Sequence, residues 1–259
     1  MKKAFSIISC FFLSNAVLAS NVANPAVNIP EARIAIGASY HLGGYTLSNK
    51  AIASLWNRVH SRVEYSPLKF LSLGVELGAT QIDVDRFING SDTVPVFHGK
   101  FGFSGGALLK FSTPAFLHDY LRVTGVTKAS FFSSKNKHNA SYKGIDGVGI
   151  IGLQFHIPRF GYITTGPLIY VIDGTNRSYT GKENYYSNLN NIRGWIALDI
   201  FPRLKEVTSN KPFISVELSM SPEIDFSKRI PIQEFSVSIS IGSVTSRIYG
   251  IDNDIEWEP

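Results

Sequence analysis

The chain alternates between apolar and polar residues with a period of two in one segment after another. In the clearest segment, Leu71, Leu73, Val75 and Leu77 lie on one side and small or polar residues lie on the other. This period is typical of β-strands, because successive side chains point to opposite faces of a sheet. About ten such segments occur between residues 31 and 248, and no amphipathic helical pattern competes with them. The pattern predicts an all-β fold of about ten strands, with eight or twelve as alternatives.

In two of the segments, individual residues are assigned to the apolar or the polar face from the period of two alone. The stretch that begins at Phe97 is interpreted as a single strand up to Phe111, so Phe97 and Phe111 share its apolar face and Lys100 lies on the opposite face. In a less regular segment further along the chain, Tyr162 and Tyr170 are assigned to the apolar face. Both assignments depend on an uninterrupted period of two.

Alternation alone does not tell whether the apolar face of such a barrel points inward or outward. A soluble, lipocalin-like barrel points it inward around a ligand, whereas a membrane barrel points it outward to lipid. Many segments approach the 9 to 11 residues that a tilted strand needs to cross a bilayer. Short connections, such as residues 66–68 and 158–159, alternate with longer polar ones, such as 133–140 and 173–187. These features favour a closed antiparallel up-and-down transmembrane β-barrel.

The two faces then receive different roles. Aromatic residues near the ends of the apolar rows are predicted to form two girdles, with Tyr40, Phe97, Phe131 and Tyr170 on the loop side and Tyr65, Phe111, Phe155 and Tyr162 on the turn side. The charged residues of the polar rows are predicted to line the lumen, namely Arg33, Arg58, Arg62, Glu64, Glu76, Lys100, Lys110, Arg122, Lys128, Asp146, Arg193, Asp199, Glu217 and Glu234. Charges of both signs in a narrow barrel predict a salt-bridged, closed lumen. A narrow channel with a weak anion preference is the alternative.

The first residues have the composition of a secretory signal peptide. Lys2 and Lys3 precede an apolar stretch, and Val17-Leu18-Ala19 matches a cleavage pattern with the cut after Ala19. The predicted organisation is a signal peptide at 1–19, a short segment at 20–30, the barrel at about 31–248 and a tail at 249–259. Cys10 is the sole cysteine and lies in the signal peptide, so the mature chain is expected to have no disulfide.

Composition and charge exclude some classes of protein. The chain of 259 residues is 44% hydrophobic and 17% charged, which excludes general disorder. Its net charge of +5 falls to +3 without Lys2 and Lys3, and no basic run points to nucleic acid. Two polar stretches rich in lysine and tyrosine, 133–143 and 174–186, suit contact with the phosphates of surface lipopolysaccharide, although ordinary loop composition explains them as well.

Between about residues 31 and 248, the chain resembles the bacterial outer-membrane β-barrel superfamily, with no specific member indicated. Its last predicted strand, FSVSISIGSV, is similar to the C-terminal assembly signal of such proteins, although a tail follows it here. The resemblance implies export to the outer membrane, contact with its lipid and lipopolysaccharide, recognition by the assembly machinery, and no cofactor. A non-enzymatic structural or surface-interaction role is the predicted function.

Catalytic and metal-binding alternatives have weaker support. Asp83 and Asp85 resemble the aspartate pair of the omptin proteases, but the Asp-x-His half of that site is absent and His138 has no evident orienting acid. Four further histidines are predicted to be hydrogen-bonded lumen residues: His41, His60, His98 and His156. The acidic residues Asp252, Asp254 and Glu256 lack the glycine and spacing of a calcium loop and are interpreted as a solvated tail.

Overall fold

Long antiparallel strands make up most of the protein. The computed structural model describes residues 26, 28–47, 52–85, 87–89, 92–94, 96–117, 120–158, 160–202, 210–221 and 235–245. The strands are β1 (Ile34–Leu47), β2 (Ile52–Leu68), β3 (Leu71–Val84), β4 (Phe87–Asn89), β5 (Asp92–Val94), β6 (Phe97–His98), β7 (Lys100–Ser112), β8 (Leu121–Lys135), β9 (Ser141–Ile157), β10 (Gly161–Arg177), β11 (Glu183–Ile200), β12 (Lys211–Met220) and β13 (Phe235–Val244). In this described part, no helix has the length and apolar composition of a membrane span.

The strands close into a barrel. Each of β1, β2, β3 and β7 to β13 pairs antiparallel with its neighbours in chain order, and β13 pairs back with β1. Nine residue pairs, from Ala35 with Val244 to Gly43 with Ser236, form this seam. The short β6 extends the pairing of β7 along β3, and β4 and β5 form a separate hairpin. The predicted closed, ten-stranded, up-and-down antiparallel barrel is confirmed.

Several strands run further than the alternation suggested. The polar stretches on the loop side were expected to be long loops, but β8 extends to Lys135 and β9 begins at Ser141, while β10 extends to Arg177 and β11 begins at Glu183. Backbone hydrogen bonds of an antiparallel ladder form equally well with polar side chains, so the pairing continues past the last apolar residue. Extended hairpins therefore replace most of the predicted long loops.

Side-chain polarity is inverted relative to a soluble protein. Outward-facing aliphatic and aromatic residues form a continuous exposed surface, which we call the apolar belt, and its members are 43% to 63% exposed: Ile36, Val59, Val63, Leu73, Val75, Leu77, Phe103, Ile145, Ile151, Ile169, Ile192, Ile196 and Ile241. Inward-facing charged residues are only 0% to 4% exposed: Arg58, Arg62, Glu64, Glu76, Lys110, Lys128, Asp146, Arg193, Asp199 and Glu217. Soluble proteins keep charged residues at the surface. A lipocalin-like barrel, with its apolar rows inward, is therefore the wrong description of these strands.

A β-bulge reverses the alternation near the start of β7. The pairing with β8 shifts register between Phe101 and Ser104, so β7 has one extra residue there. Phe97 lies inside the barrel and is 4% exposed, whereas Phe103 lies outside and is 60% exposed. Lys100 is exposed as well. The prediction that Phe97 belongs to the outer girdle and Lys100 to the lumen is wrong, because one extra residue exchanges the faces of everything before it.

The faces of β10 are also opposite to the prediction. Tyr170 is 1% exposed and points into the lumen, as do Leu168 and Ile172. Tyr162 lies on the same inward row near the turn end, where its ring stacks on His156 at a centroid distance of 5.0 Å. The assignment of Tyr162 and Tyr170 to the outer girdles is wrong. This strand is apolar on both faces, so its sequence contains little contrast from which to choose a side.

Candidate functional site

Five charged side chains from four strands form a continuous ionic network inside the barrel. Lys110 Nζ donates to Glu64 Oε2 at 2.7 Å, and Arg62 lies between two carboxylates, 3.4 Å from Glu64 and 3.1 Å from Glu76. Lys128 Nζ lies 2.5 Å from Glu76 Oε1. The network connects β2, β3, β7 and β8. Each charge is compensated locally, which offsets part of the large desolvation cost of burying it.

A second ion pair crosses the lumen. Arg58 on β2 donates two hydrogen bonds to Asp146 on β9, at 3.0 and 2.9 Å. This two-point geometry matches the planar guanidinium to the carboxylate and is among the stronger forms of ionic contact. Because β2 and β9 are not neighbours in the sheet, the pair ties opposite walls of the barrel together.

Aromatic rings fill the loop-side half of the lumen. This aromatic cluster comprises Tyr45, Trp56, Phe97, Phe132, Tyr142, Tyr170 and Tyr186, each at most 4% exposed. Tyr45 stacks on Tyr170 and Trp56 meets Phe132 edge to face, both at centroid distances of 4.5 Å. The Arg58 guanidinium lies 4.7 Å from the centre of the Trp56 ring, which favours a cation–π contact. Arg58 thus connects the aromatic cluster to Asp146.

The segment before β1 enters the turn end of the lumen. The backbone N–H of Ala26 donates to Asp199 Oδ1 at 3.1 Å, and Ser72 Oγ donates to Asn28 Oδ1 at 2.5 Å. Ile29 is 1% exposed and packs in a small apolar cluster with Phe213. We call the described residues of this segment, 26 and 28–30, the N-terminal plug, because Ala26, Asn28 and Ile29 are buried at this end of the barrel.

The described side chains that point into the lumen are almost completely buried. A water-filled pore leaves the side chains along it accessible to water, but the charged groups of the lumen are 0% to 4% exposed. The aromatic cluster lies on the loop side of these charges and the N-terminal plug lies on the turn side. In the described part of the chain, this arrangement makes a buried polar core inside the sheet.

The structure separates the predicted lumen residues into groups. Ten of them are buried inside: Arg58, Arg62, Glu64, Glu76, Lys110, Lys128, Asp146, Arg193, Asp199 and Glu217. Arg33 and Arg122 are partly buried near the turn end, and Lys100 is exposed outside. Glu234 lies outside the described residues.

The predicted girdle residues also separate. Five are outward-facing and 39% to 47% exposed: Tyr40, Tyr65, Phe111, Phe131 and Phe155. Phe97, Tyr162 and Tyr170 are the exceptions described above. The aromatic cluster and the N-terminal plug were not predicted. Trp56 and Trp195, which interrupt otherwise polar rows, were the available signal for inward-facing aromatic rings.

One group of lumen residues has the order of a nucleophile, a base and an acid. His60 Nε2 lies 2.9 Å from Ser104 Oγ, and His60 Nδ1 lies 3.6 Å from Glu76 Oε1. All three side chains are at most 1% exposed, and Glu76 also contacts Lys128 and Arg62. A hydrolase brings its substrate to the nucleophile, whereas Ser104 is buried inside the barrel and only 1% exposed. The hydrogen bond between His60 and Ser104 joins β2 to β7 inside the lumen.

The carboxylates compared with the omptin pair lie at the loop-side rim. Asp83 Oδ1 lies 3.5 Å from His98 Nδ1 and accepts the backbone N–H of Gly99 at 3.1 Å. The His98 side chain is 82% exposed, so it is outside the lumen, contrary to its predicted place. Asp85 is exposed at the rim. The structure thus reveals an Asp–His contact that no sequence motif indicated.

The remaining candidates do not converge on a site. His41 is buried in the lumen, and His156 stacks with Tyr162 near the turn end. His138 lies in the exposed hairpin between β8 and β9. Within the described residues, no group of three or more histidine, cysteine or carboxylate side chains is arranged to hold a metal ion. The acidic tail Asp252, Asp254 and Glu256, like the predicted signal peptide with Cys10, lies outside those residues.

The fold and the polarity of its faces define a closed antiparallel β-barrel with an apolar exterior and an ionic interior. Comparison of the sequence with protein-family models and with curated proteins finds no match. Solved structures do resemble it. The translocator domain of autotransporter NalP from Neisseria meningitidis is similar over 94% of both chains, with 10% identity and a TM-score of 0.45.

Two further structures have related chain paths. Outer membrane protease OmpT from Escherichia coli is similar over 82% of this chain and 93% of its own, with 9% identity and a TM-score of 0.40. A deletion mutant of the monoaromatic hydrocarbon channel TodX is similar over 91% of this chain and 96% of its own, with 8% identity and a TM-score of 0.32. These likenesses concern the fold alone.

Proposed function

We propose that the protein is an integral outer-membrane β-barrel without catalytic activity. Its closed lumen acts as a rigid scaffold that presents the loop-side hairpins at the cell surface, in a structural or surface-interaction role. The observation that carries this proposal is the inversion of polarity, with an exposed apolar belt around a core of buried ion pairs. Exposing such an apolar surface to water is unfavourable in free energy, whereas contact with the hydrocarbon of a bilayer is not.

The strand lengths and the closed seam agree with a bilayer environment. The barrel strands have 10 to 18 residues, enough to cross the hydrocarbon at a tilt and continue beyond it. The seam between β1 and β13 leaves no open sheet edge, which hydrocarbon would not tolerate. The predicted signal peptide supplies a route of export, and the final strand supplies the similarity to an assembly signal.

Fractionation and surface labelling test the membrane assignment. We expect the protein in the outer-membrane fraction, with faster gel migration before heating than after it, because a closed barrel resists detergent until it is heated. An epitope inserted between Lys137 and His138 should be accessible to antibody on intact cells, whereas one inserted at Lys69, in the turn between β2 and β3, should not. Recovery in the soluble periplasmic fraction would contradict the proposal.

A closed scaffold and a narrow channel differ in conductance. The buried ion pairs and the aromatic cluster favour the closed scaffold, so the full-length protein in a planar bilayer should produce no discrete current steps. The channel remains the second candidate, because inward cations such as Arg193 could favour anions. Reproducible ohmic steps with anion selectivity would support the channel and refute the closed scaffold.

A further inference from the structure

Two lysines face each other on the outer surface of the barrel. Lys100 on β7 and Lys135 on β8 are directly paired across the sheet and both are exposed. Like charges in this position destabilise a sheet unless something neutralises them. Neither side chain makes an ion pair or hydrogen bond within the described part of the chain.

A third cation lies on the next strand. Lys143 on β9 pairs with Ser133, two residues from Lys135 along β8, and therefore faces outward beside the first two. Its ammonium group lies 4.0 Å from Glu183 Oε1, at the limit of an ion pair, and its side chain is 60% exposed. On the other side, Asp83 of β3 already contacts His98 and accepts the backbone N–H of Gly99.

The bulge in β7 is what brings Lys100 to this surface. Without the extra residue between Phe101 and Ser104, Lys100 would point into the lumen, because the alternation from Lys110 assigns it to the inward row. Bulges commonly redirect a side chain to a particular place. Here the irregularity moves a cation from a lumen of compensated charges to a position opposite another cation.

The three lysines lie just beyond the loop-side edge of the apolar belt. Lys100 lies three residues before the outward Phe103, which packs against Phe131 with ring centroids 5.5 Å apart. Lys135 lies four residues beyond Phe131, and Lys143 two residues beyond Ile145. At about 3.3 Å per residue, the cations lie roughly 7–13 Å beyond that edge measured along the tilted strands. Lipid headgroups occupy this depth in a bilayer.

We propose that Lys100, Lys135 and Lys143 form a binding site for the phosphate groups of a phosphorylated lipid headgroup in the outer leaflet. This inference rests on the proposed membrane location and specifies which surface the lipid contacts. Lysine ammonium groups bind phosphate oxygens as point charges. A phosphate placed between Lys100 and Lys135 neutralises both and removes their repulsion, while the acyl chains of the same lipid lie on Phe103 and Phe131.

Titration with a lipid tests this site. The full-length barrel in zwitterionic micelles is titrated with diphosphorylated lipid A, and binding is measured by calorimetry. The variant Lys100→Gln/Lys135→Gln should bind about 25-fold more weakly, at roughly fivefold for each lysine near an anionic lipid surface. The control Lys137→Gln/Lys182→Gln removes the same charge from exposed positions further along the loop-side hairpins, and it should bind like the unmodified protein.

The possible outcomes are distinct. Equal weakening in both double variants would overturn the site, because it would indicate a general charge effect. Displacement of the lipid by millimolar inorganic phosphate would overturn the assignment to a lipid headgroup. Loss of heat-dependent mobility in the unmodified protein would refute the membrane barrel itself, whereas an intact barrel whose lipid affinity does not respond to Lys100 and Lys135 would refute only this inference.

Discussion

At the scale of single residues, the lumen depends on charges that are buried only because they are paired. Arg58 has both an ionic partner, Asp146, and an aromatic one, Trp56. Removing one member of such a pair leaves the other without compensation in a medium that solvates it poorly. At a water-exposed surface, the same ion pair would contribute little to the free energy of unfolding. Their position inside the sheet makes them decisive for stability.

Substitution of Asp146 tests the dependence on paired charges. Asp146→Ala should lower the free energy of unfolding by about 3–5 kcal/mol, since Arg58 would remain buried without its carboxylate. Urea unfolding in phospholipid vesicles measures the change. The double variant Arg58→Met/Asp146→Leu removes both charges and should be clearly more stable than Asp146→Ala. A larger loss in the double variant would contradict the role assigned to the pair.

Close packing at a glycine gives a second residue-level prediction. A methyl group at Gly78 would lie 1.9 Å from the backbone oxygen of Val59, whereas one at Gly149 meets nothing within 4 Å. Gly78→Ala should therefore destabilise the barrel by at least about 1–3 kcal/mol, because β2 must move to make room. Gly149→Ala is the matched control and should leave the urea midpoint unchanged. Similar urea midpoints for the two variants would show that β2 and β3 are not in close contact at Gly78.

At the scale of strands, the number and direction of the elements could be predicted from the sequence, but the faces of two of them could not. In β3, apolar and polar residues alternate cleanly, so Leu77 and Glu76 lie on the predicted sides. In β7, apolar and polar residues alternate on both sides of the bulge. The amino-acid sequence therefore contains no signal for the extra residue. In β10, inward rings such as Tyr170 pack on other rings across the lumen, a contact that no local pattern contains.

Charged substitutions along a strand and beyond it test the apolar belt. Leu77 is 59% exposed in the middle of the outward row of β3. Leu77→Arg should cost about 2–4 kcal/mol if this row faces hydrocarbon. Tyr179 is 71% exposed in the tight turn between β10 and β11, and Tyr179→Arg should cost at most about 1 kcal/mol, because it lies outside the belt. Unfolding titrations in vesicles compare the two, and equal costs would place Leu77 in water.

At the scale of the whole molecule, the ionic lumen was partly predictable because charges recur on the polar rows. The pairing of individual charges could not be predicted from the sequence. Arg58 and Asp146, for example, are 88 residues apart and meet only after the barrel closes. The N-terminal plug was missed for a related reason. Residues 26–30 have no strand pattern, and Ile29 becomes a core residue only because Phe213 and Val244 surround it.

Truncation of Ile29 tests how tightly the plug is held. Ile29→Ala should lower the free energy of unfolding by about 2–5 kcal/mol, as for other aliphatic residues that are completely enclosed. The variant should remain electrically silent in a planar bilayer, because the ionic network and the aromatic cluster still fill the remaining lumen. Val96→Ala, at a side chain that is 48% exposed, is the control and should change stability little.

The plug also constrains the order of assembly. Ala26 is attached to the first strand yet bonds to Asp199 on β11, a partner 173 residues away. Contacts across such long stretches of chain form late, because the intervening polymer must be ordered first. The N-terminal plug therefore reaches its final position only after most of the barrel strands have paired. It occupies the end of the lumen where the turns lie. If the barrel inserts into a membrane as proposed, its turn-side end must therefore stay accessible to this segment until β11 is in place.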